Sequence, residues 1–231
     1  MLLFSLECSA AAASAAIYRD EKLLGEEFLN VPQTHSVTLL PMAKSLLEHT
    51  GISPAQIDYY AVSRGPGSFT GLRIGIAAIK GLAFPDDTPC IGVSTPEAIA
   101  YGLLGFEGTV IPMMDARCGQ VYTALFQGKD GRLTRLSEDE ALPLSELKEK
   151  LKSCTGPLWL CGDGAHLGLA AWGEELPVRI APAHLCCQRA SAVGLAAMQH
   201  LGEAVSPAAL VPCYLRPANA MTLAERQKKA E

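Results

Sequence analysis

Three short groups of residues in this sequence have chemistry to offer. Glu7-Cys8-Ser9 brings a carboxylate, a thiol and a hydroxyl together, Asp115 and Arg117 set opposite charges two positions apart, and Gly162-Asp163-Gly164 puts a carboxylate between two residues without side chains. An acid at a strand end suits a turn that faces phosphate or metal, and paired glycines let backbone N–H groups approach a phosphate. Each group also has a plainer reading. Glu7 reads as a solvated carboxylate closing a strand, and Asp115 and Arg117 as a turn whose charges pair with each other or with the backbone. Gly162 to Gly164 lacks the third glycine and the ribose-binding acid of a dinucleotide loop. Glu7, Ser9, Asp115, Arg117, Gly162 and Gly164 are therefore expected to line a degenerate cleft, with no catalytic residue among them.

The other ligand-type residues point the same way. His35 stands alone before a helix, where histidines cap or are solvated, and in His184-Leu185-Cys186-Cys187 adjacent thiols chelate one metal poorly. No metal site and no cofactor are expected. The eight cysteines are scattered without a CxxC, which predicts reduced and mostly buried thiols.

The positioning elements follow from periodicity. Strands are expected at 2–7, 13–18 and 23–30, with a polar turn at Asp20-Glu21-Lys22, and an amphipathic helix at 36–50 is stopped by Gly51 and interrupted by Pro41. A β-prone run at 57–62 feeds a Gly65-Pro66-Gly67 corner and a helix from 70 to 84 capped by Ser68 or Thr70. Further strands are read at 90–93, 110–114, 120–126 and 158–161. Further helices are read from 94 to 104, at 142–152, at 165–172 and at 191–201, before an extended segment at 212–216 and a charged helical or disordered end from 218.

The helix after Gly67 carries the most information. Its polar stripe is Thr70, Arg73, Ala77 and Lys80; Leu72, Ile76, Ile79 and Ala83 form a bulky face, and Gly71, Gly75, Ala78 and Leu82 a flat one. Two faces want burial, so the flat one meets either a second helix at close range or the rest of its own domain. A nucleotide P-loop is excluded, because Gly67 and Gly71 enclose three residues and Leu72-Arg73 follow.

The block Gly65-Pro66-Gly67-Ser68-Phe69-Thr70-Gly71-Leu72-Arg73-Ile74-Gly75, with Lys80-Gly81-Leu82-Ala83, resembles the signature of the TsaB (YeaZ) family of the bacterial machinery for threonylcarbamoyladenosine in tRNA. His35-Ser36, Val93-Ser94-Thr95, Met114-Asp115-Ala116-Arg117, Gln120-Val121-Tyr122 and Pro212-Cys213-Tyr214-Leu215-Arg216 extend the likeness over nearly the whole chain. The resemblance implies an α/β fold of the actin-like ATPase, ribonuclease-H-like type in two lobes, 1–104 and 105–231, the final segment packing back on the first. It implies a non-catalytic scaffold that binds TsaD through the first lobe, works with the ATPase TsaE, and meets tRNA only through the complex, with a homodimer as the alternative when alone. The implied interface is Leu39, Met42, Ala43 and Leu46 from one helix and Gly71, Gly75, Ala78 and Leu82 from the other. The family usually has Asp where this chain has Glu7. TsaD carries a metal-binding His-x-x-x-His where this sequence has Thr95 and Ile99, and a Gly-Gly phosphate loop near Asp115-Ala116-Arg117. The rival reading is an enzyme, either a glycoprotease-like metallopeptidase or a small-molecule kinase of the actin-like superfamily.

Composition sets the outer bounds. With 231 residues, 49% hydrophobic and 19% charged, the chain can bury one large core or two small ones. No apolar run is long enough to span a membrane, and Met1 to Glu7 has neither the basic flank nor the length of a signal peptide, so a cytoplasmic protein is expected. A net charge of −5 argues against a tRNA-gripping surface on this chain alone.

Overall fold

The computed structural model describes residues 1–172 and 175–216, so the expected tail from 218 lies outside the described residues. Three strands open the chain, β1 (Leu2–Glu7), β2 (Ala13–Arg19) and β3 (Lys22–Leu29), antiparallel in succession. Helix α1 (His35–Thr50) ends at Gly51, whose φ of 65° lets the backbone turn left-handed. Strand β4 (Tyr59–Gly65), helix α2 (Phe69–Ala83), strand β5 (Cys90–Ser94) and helix α3 (Thr95–Tyr101) follow. The sheet order is β3-β2-β1-β4-β5, with β1, β4 and β5 parallel.

Alternation along β1 fixes which helices cover which face. Phe4 and Leu6 point to a core shared with Leu39, Leu46, Ile76 and Ile79 of α1 and α2, whereas Leu3 points to the opposite face. That second face is covered by helix α6 (Ala190–Ala197), which reaches the first sheet from the far end of the chain. Ser5 Oγ donates to Ala190 O at 2.7 Å and Tyr18 Oη to Ser191 O at 2.9 Å, tying the returning helix to β1 and β2.

Between these two visits the chain builds a second sheet from β6 (Gly108–Arg117), β7 (Gln120–Thr123), β8 (Phe126–Lys129), β9 (Arg132–Arg135), β10 (Glu140–Pro143), β11 (Leu158–Cys161) and β12 (Val178–Ile180). Its order is β10-β7-β6-β11-β12, with β8 also on β6 and β9 on β8. Helices α4 (Leu144–Leu151) and α5 (Ala165–Trp172) close a core around Leu147, Leu151 and Trp172. Helix α3 serves both lobes: Ala98 packs toward the first sheet, while Ile99 and Ala100, with Leu103 just beyond the helix, pack with Val110, Met114 and Phe126 of the second.

Three expected elements change shape. The run 120–126 is two strands, because the chain leaves β7 after Thr123 and pairs a different part of β6 from Phe126. Leu142 and Pro143 belong to β10, so α4 starts two residues later than its periodicity suggests. Helix α6 stops at Ala197 and a separate 3-10 turn covers Leu201–Glu203. Among the cysteines only Cys8, Cys90 and Cys161 are fully buried; all eight are free, and Cys118 is exposed.

Candidate functional site

The Gly65-Pro66-Gly67 corner delivers α2 at a fixed angle. Ser68 accepts a hydrogen bond from Gly71 N at 3.2 Å as the N-cap, and its own N–H donates to Ser9 O at 2.7 Å, so the start of α2 is tied to the β1–β2 turn. The polar stripe is where the projection puts it, with Thr70, Arg73 and Ala77 exposed.

The flat face of α2 meets its own sheet rather than a second helix. A Cβ on Gly71 would collide with Cys8 O, and one on Gly75 would lie 2.7 Å from Cys8 Sγ and 3.2 Å from Val62 Cγ2. The glycines are needed because the end of β1 presses on the helix, and Cys8 Sγ donates to Gly71 O at 3.1 Å across that contact. The interface expected from Gly71, Gly75 and Ala78 is therefore corrected: all three are buried within the chain. Leu39, Met42 and Leu46 likewise belong to the core under α1, while Ala43, also in that core, reaches the border of a groove between α1 and α2.

What α1 and α2 leave open is the next ridge outward. Val37 is 64% exposed and Leu40 51%, with Leu82 half-buried opposite them. Between the helices lies an apolar groove of about 940 Å³ bordered by Leu40, Pro41, Ala43, Leu47, Ile52 and Leu82. Amphipathic periodicity missed it because Leu40 was counted in the apolar arc of α1, whereas it stands 51% exposed at the edge of that arc.

The expected cleft exists between the lobes, about 580 Å³, bordered by Ser9, Gly67, Met114, Asp115, Arg117 and Asp163. Glu7 is not solvated, as a strand-end carboxylate was expected to be; it is wholly buried behind Ser9. Ser9 N donates to its Oε1 at 2.5 Å and Ser63 Oγ to its Oε2. Burial raises the Glu7 pKa against the opposing pull of those hydrogen bonds. Asp115 and Arg117 pair with each other at 2.9 Å, as the plainer reading expects. Gly162 and Gly164 do not line the cleft; both are packed against the backbone of β6 at Met113 and Met114. Asp163 between them faces the cleft, its pKa raised by desolvation and, less strongly, by Asp115, while a 2.7 Å hydrogen bond from Gln188 opposes the shift.

The chemistry of this donor set does not fit a metal at the α3 position. Ser94 caps α3 by accepting from Glu97 N at 3.2 Å, Thr95 is fully buried, and Ile99 is 3% exposed within the apolar core shared by the lobes. An isobutyl-sized side chain in that core offers no lone pair, and no group of three or more His, Cys, Asp or Glu side chains converges among the described residues. His35 Nε2 lies 2.7 Å from Ala10 O, which fixes the ring against the β1–β2 turn.

Residues 29–154 match the family model described as TsaD: tRNA N6-adenosine threonylcarbamoyltransferase. The Bacillus subtilis tRNA threonylcarbamoyladenosine biosynthesis protein TsaB is 31% identical over 220 residues, 95% of this chain and 96% of that one. The chain belongs to the TsaB family. A Pseudomonas aeruginosa crystal structure, described as an uncharacterized protein with similarity to peptidase YEAZ, superposes on this TsaB-family chain with a TM-score of 0.80 at 28% identity, covering 93% of this chain and 99% of the other. The activator of 2-hydroxyisocaproyl-CoA dehydratase from Clostridium difficile shares the fold alone, at 12% identity with a TM-score of 0.50 over 88% of this chain and 96% of the other. The fold is the actin-like α/β one, in two sheets with helices on their faces.

One polar cluster in this TsaB-family chain escaped sequence reasoning. Arg135 of β9 donates to Asp139 Oδ1 at 2.8 Å, to Ser94 Oγ at 3.1 Å and to Glu97 Oε2 at 3.2 Å, and His200 Nε2 lies 3.0 Å from Glu97 Oε1. These bonds clamp the second lobe to the start of α3. The only signal for it was an arginine in a short polar strand, which reads as an ordinary solvated edge.

Proposed function

We propose that this chain is the non-catalytic partner subunit in threonylcarbamoyladenosine formation, binding TsaD through the α1–α2 ridge and allowing TsaD, with the ATPase TsaE, to modify the adenosine beside the anticodon. TsaB-family membership supports the pathway. The observation that carries the scaffold reading is the apolar groove bordered by Leu40, Leu47, Ile52 and Leu82: a contiguous apolar surface of this kind marks an interaction site more often than a solvated one. A helix seated against α1 and α2 would remove Leu40 from water. The enzyme reading loses its metal ligands to Thr95 and Ile99, and its phosphate-loop glycines are spent on packing against β6.

The test is Leu40→Asp combined with Leu82→Asp, followed by light scattering of the chain alone and mixed with TsaD. Association should be lost in both cases while the monomer melts within a few degrees of the parent. Undiminished binding of TsaD by the double variant would refute the assignment of this ridge. A homodimer through the same surface, present only without TsaD, is the expected behaviour of the isolated chain.

A further inference from the structure

At the outer edge of the first sheet two hollows share a wall. Strand β5 ends the sheet order, and its Cys90 exchanges both backbone hydrogen bonds with Val205, at 2.8 and 2.9 Å, on the side away from β4. Backbone direction alternates along a strand, so Gly92, two positions on, turns its N–H and C=O to the same edge. The missing side chain at Gly92 has a visible reason. A Cβ there would stand 2.7 Å from Arg64 Cδ, because the Arg64 stem lies across β5. Arg64 thereby reaches the edge, where it borders both hollows, and its guanidinium bonds to no other side chain among the described residues.

The larger hollow, about 170 Å³, separates Arg64 from the second lobe, with Glu97, Arg135, Glu138, His200 and Glu203 also on its wall. Most of these charges are spent on one another. Arg135 pairs with Glu97 and Asp139, and His200 stands 3.0 Å from both Glu97 and Glu203. What is left among the described residues is one cation, Arg64, and one carboxylate, Glu138, on opposite lobes around the same space, together with the second carboxylate oxygen of Glu203. The smaller hollow, about 70 Å³, shares Arg64, Gly92 and Glu203 with the first and adds Val205, Ala209, Leu210 and Val211 to its wall. Charges of both signs thus adjoin an apolar recess.

We infer that this edge binds a free α-amino acid with a small branched apolar side chain. The carboxylate takes the forked N–H pair of Arg64 and the Gly92 N–H, the ammonium faces Glu138 and the free oxygen of Glu203, and the side chain enters the smaller hollow against Val205 and Val211. A ligand with one charge alone would leave the opposite group unmatched, which is the reason for a zwitterion. The site is independent of the α1–α2 ridge, on which none of these residues lies, and of the cleft bordered by Asp115 and Asp163.

The test uses the full chain, isotope-labelled and titrated with L-valine to tens of millimolar, while NMR follows the backbone amide of Gly92. A saturable shift is expected there, with isobutylamine and 3-methylbutanoate, which each keep one of the two charges, binding about tenfold more weakly. Arg64→Met keeps the stem over Gly92 and removes the guanidinium, and it should weaken L-valine about tenfold. Glu138→Gln, on an exposed side chain, should weaken L-valine and leave 3-methylbutanoate unchanged, and it guards against a strand variant that fails to fold. No saturable shift at Gly92, L-valine binding unchanged by Arg64→Met and Glu138→Gln, or 3-methylbutanoate bound as tightly as L-valine overturns the proposal.

Discussion

Gly75 of α2 faces the thiol of Cys8 at the end of β1, close enough that an added methyl would stand 2.7 Å from Sγ. The contact decides what the small residues of α2 are for. They let helix and sheet approach within one lobe, which leaves Gly71 and Gly75 no open surface to offer.

Gly75→Leu should destabilise the monomer by about 1–3 kcal/mol, the usual range for overpacking, even though glycine itself is a poor helix former. Thermal denaturation at low protein concentration reads this as a fall of several degrees. A melting temperature equal to or above that of the parent would mean that the Cys8–Gly75 contact is loose.

Glu7→Gln should stabilise the protein at neutral pH. The Glu7 pKa is raised in the fold by burial, so between the ordinary carboxylate value and the raised one the folded state holds a proton that the unfolded chain has released. Stability is therefore lost as pH rises through that window and regained as pH falls. Melting curves of parent and variant should diverge on going from acid to neutral pH, with the parent lower; parallel curves would show that the carboxylate is not desolvated.

His200 titrates with the opposite charge and the same sign of slope. Burial lowers its pKa, but hydrogen bonds to Glu97 and Glu203 outweigh it and the net shift is upward. The contribution is present in full below the ordinary histidine value, about pH 6.5, and disappears as pH rises through the raised one. His200→Asn should remove this part of the pH dependence and loosen the Arg135–Glu97 clamp, seen as faster hydrogen exchange in the 94–101 segment. An unchanged pH profile would contradict it.

Metal analysis of protein purified without chelator should give far less than one equivalent of zinc or iron, because Ile99 stands where a second imidazole would be needed. A near-stoichiometric content would reverse the account of the cleft.

The isolated chain should show no sub-micromolar affinity for whole tRNA at physiological salt, its net charge being −5. Filter binding with a steep salt slope would show a basic surface that the fold assembles from distant residues.

Much of the first lobe was legible in the sequence because its information is local. Ser68 three residues before Gly71, Gly51 after Thr50 and the alternation of Leu3, Phe4 and Leu6 each encode a cap, a stop or a face within a few positions. The burial of both α2 faces was legible too, but not what covers the flat one, since Cys8 lies more than sixty positions before Gly71 and Gly75. Glu7 was misjudged for the same reason: its partner Ser63 arrives from β4 and its shielding from the β1–β2 turn. In the second lobe, Arg132 and Arg135 bracket Leu133 and Thr134, a run too short and polar to separate an edge strand from a loop.

Helix α6 comes from the end of the chain and covers Leu3, Ala16, Tyr18 and Ala61 of the first sheet. On the ribosome, that face has only α3 to cover it until residues 190–197 emerge, after the whole second lobe has been made. Domains generally fold as their sequence appears, yet the first lobe here waits for a helix that starts about an eighth of the described residues from their end. A nascent chain halted before Ala190 leaves Leu3, Ala16 and Tyr18 without the helix that packs on them, so the first lobe reaches its full core only once α6 has been made.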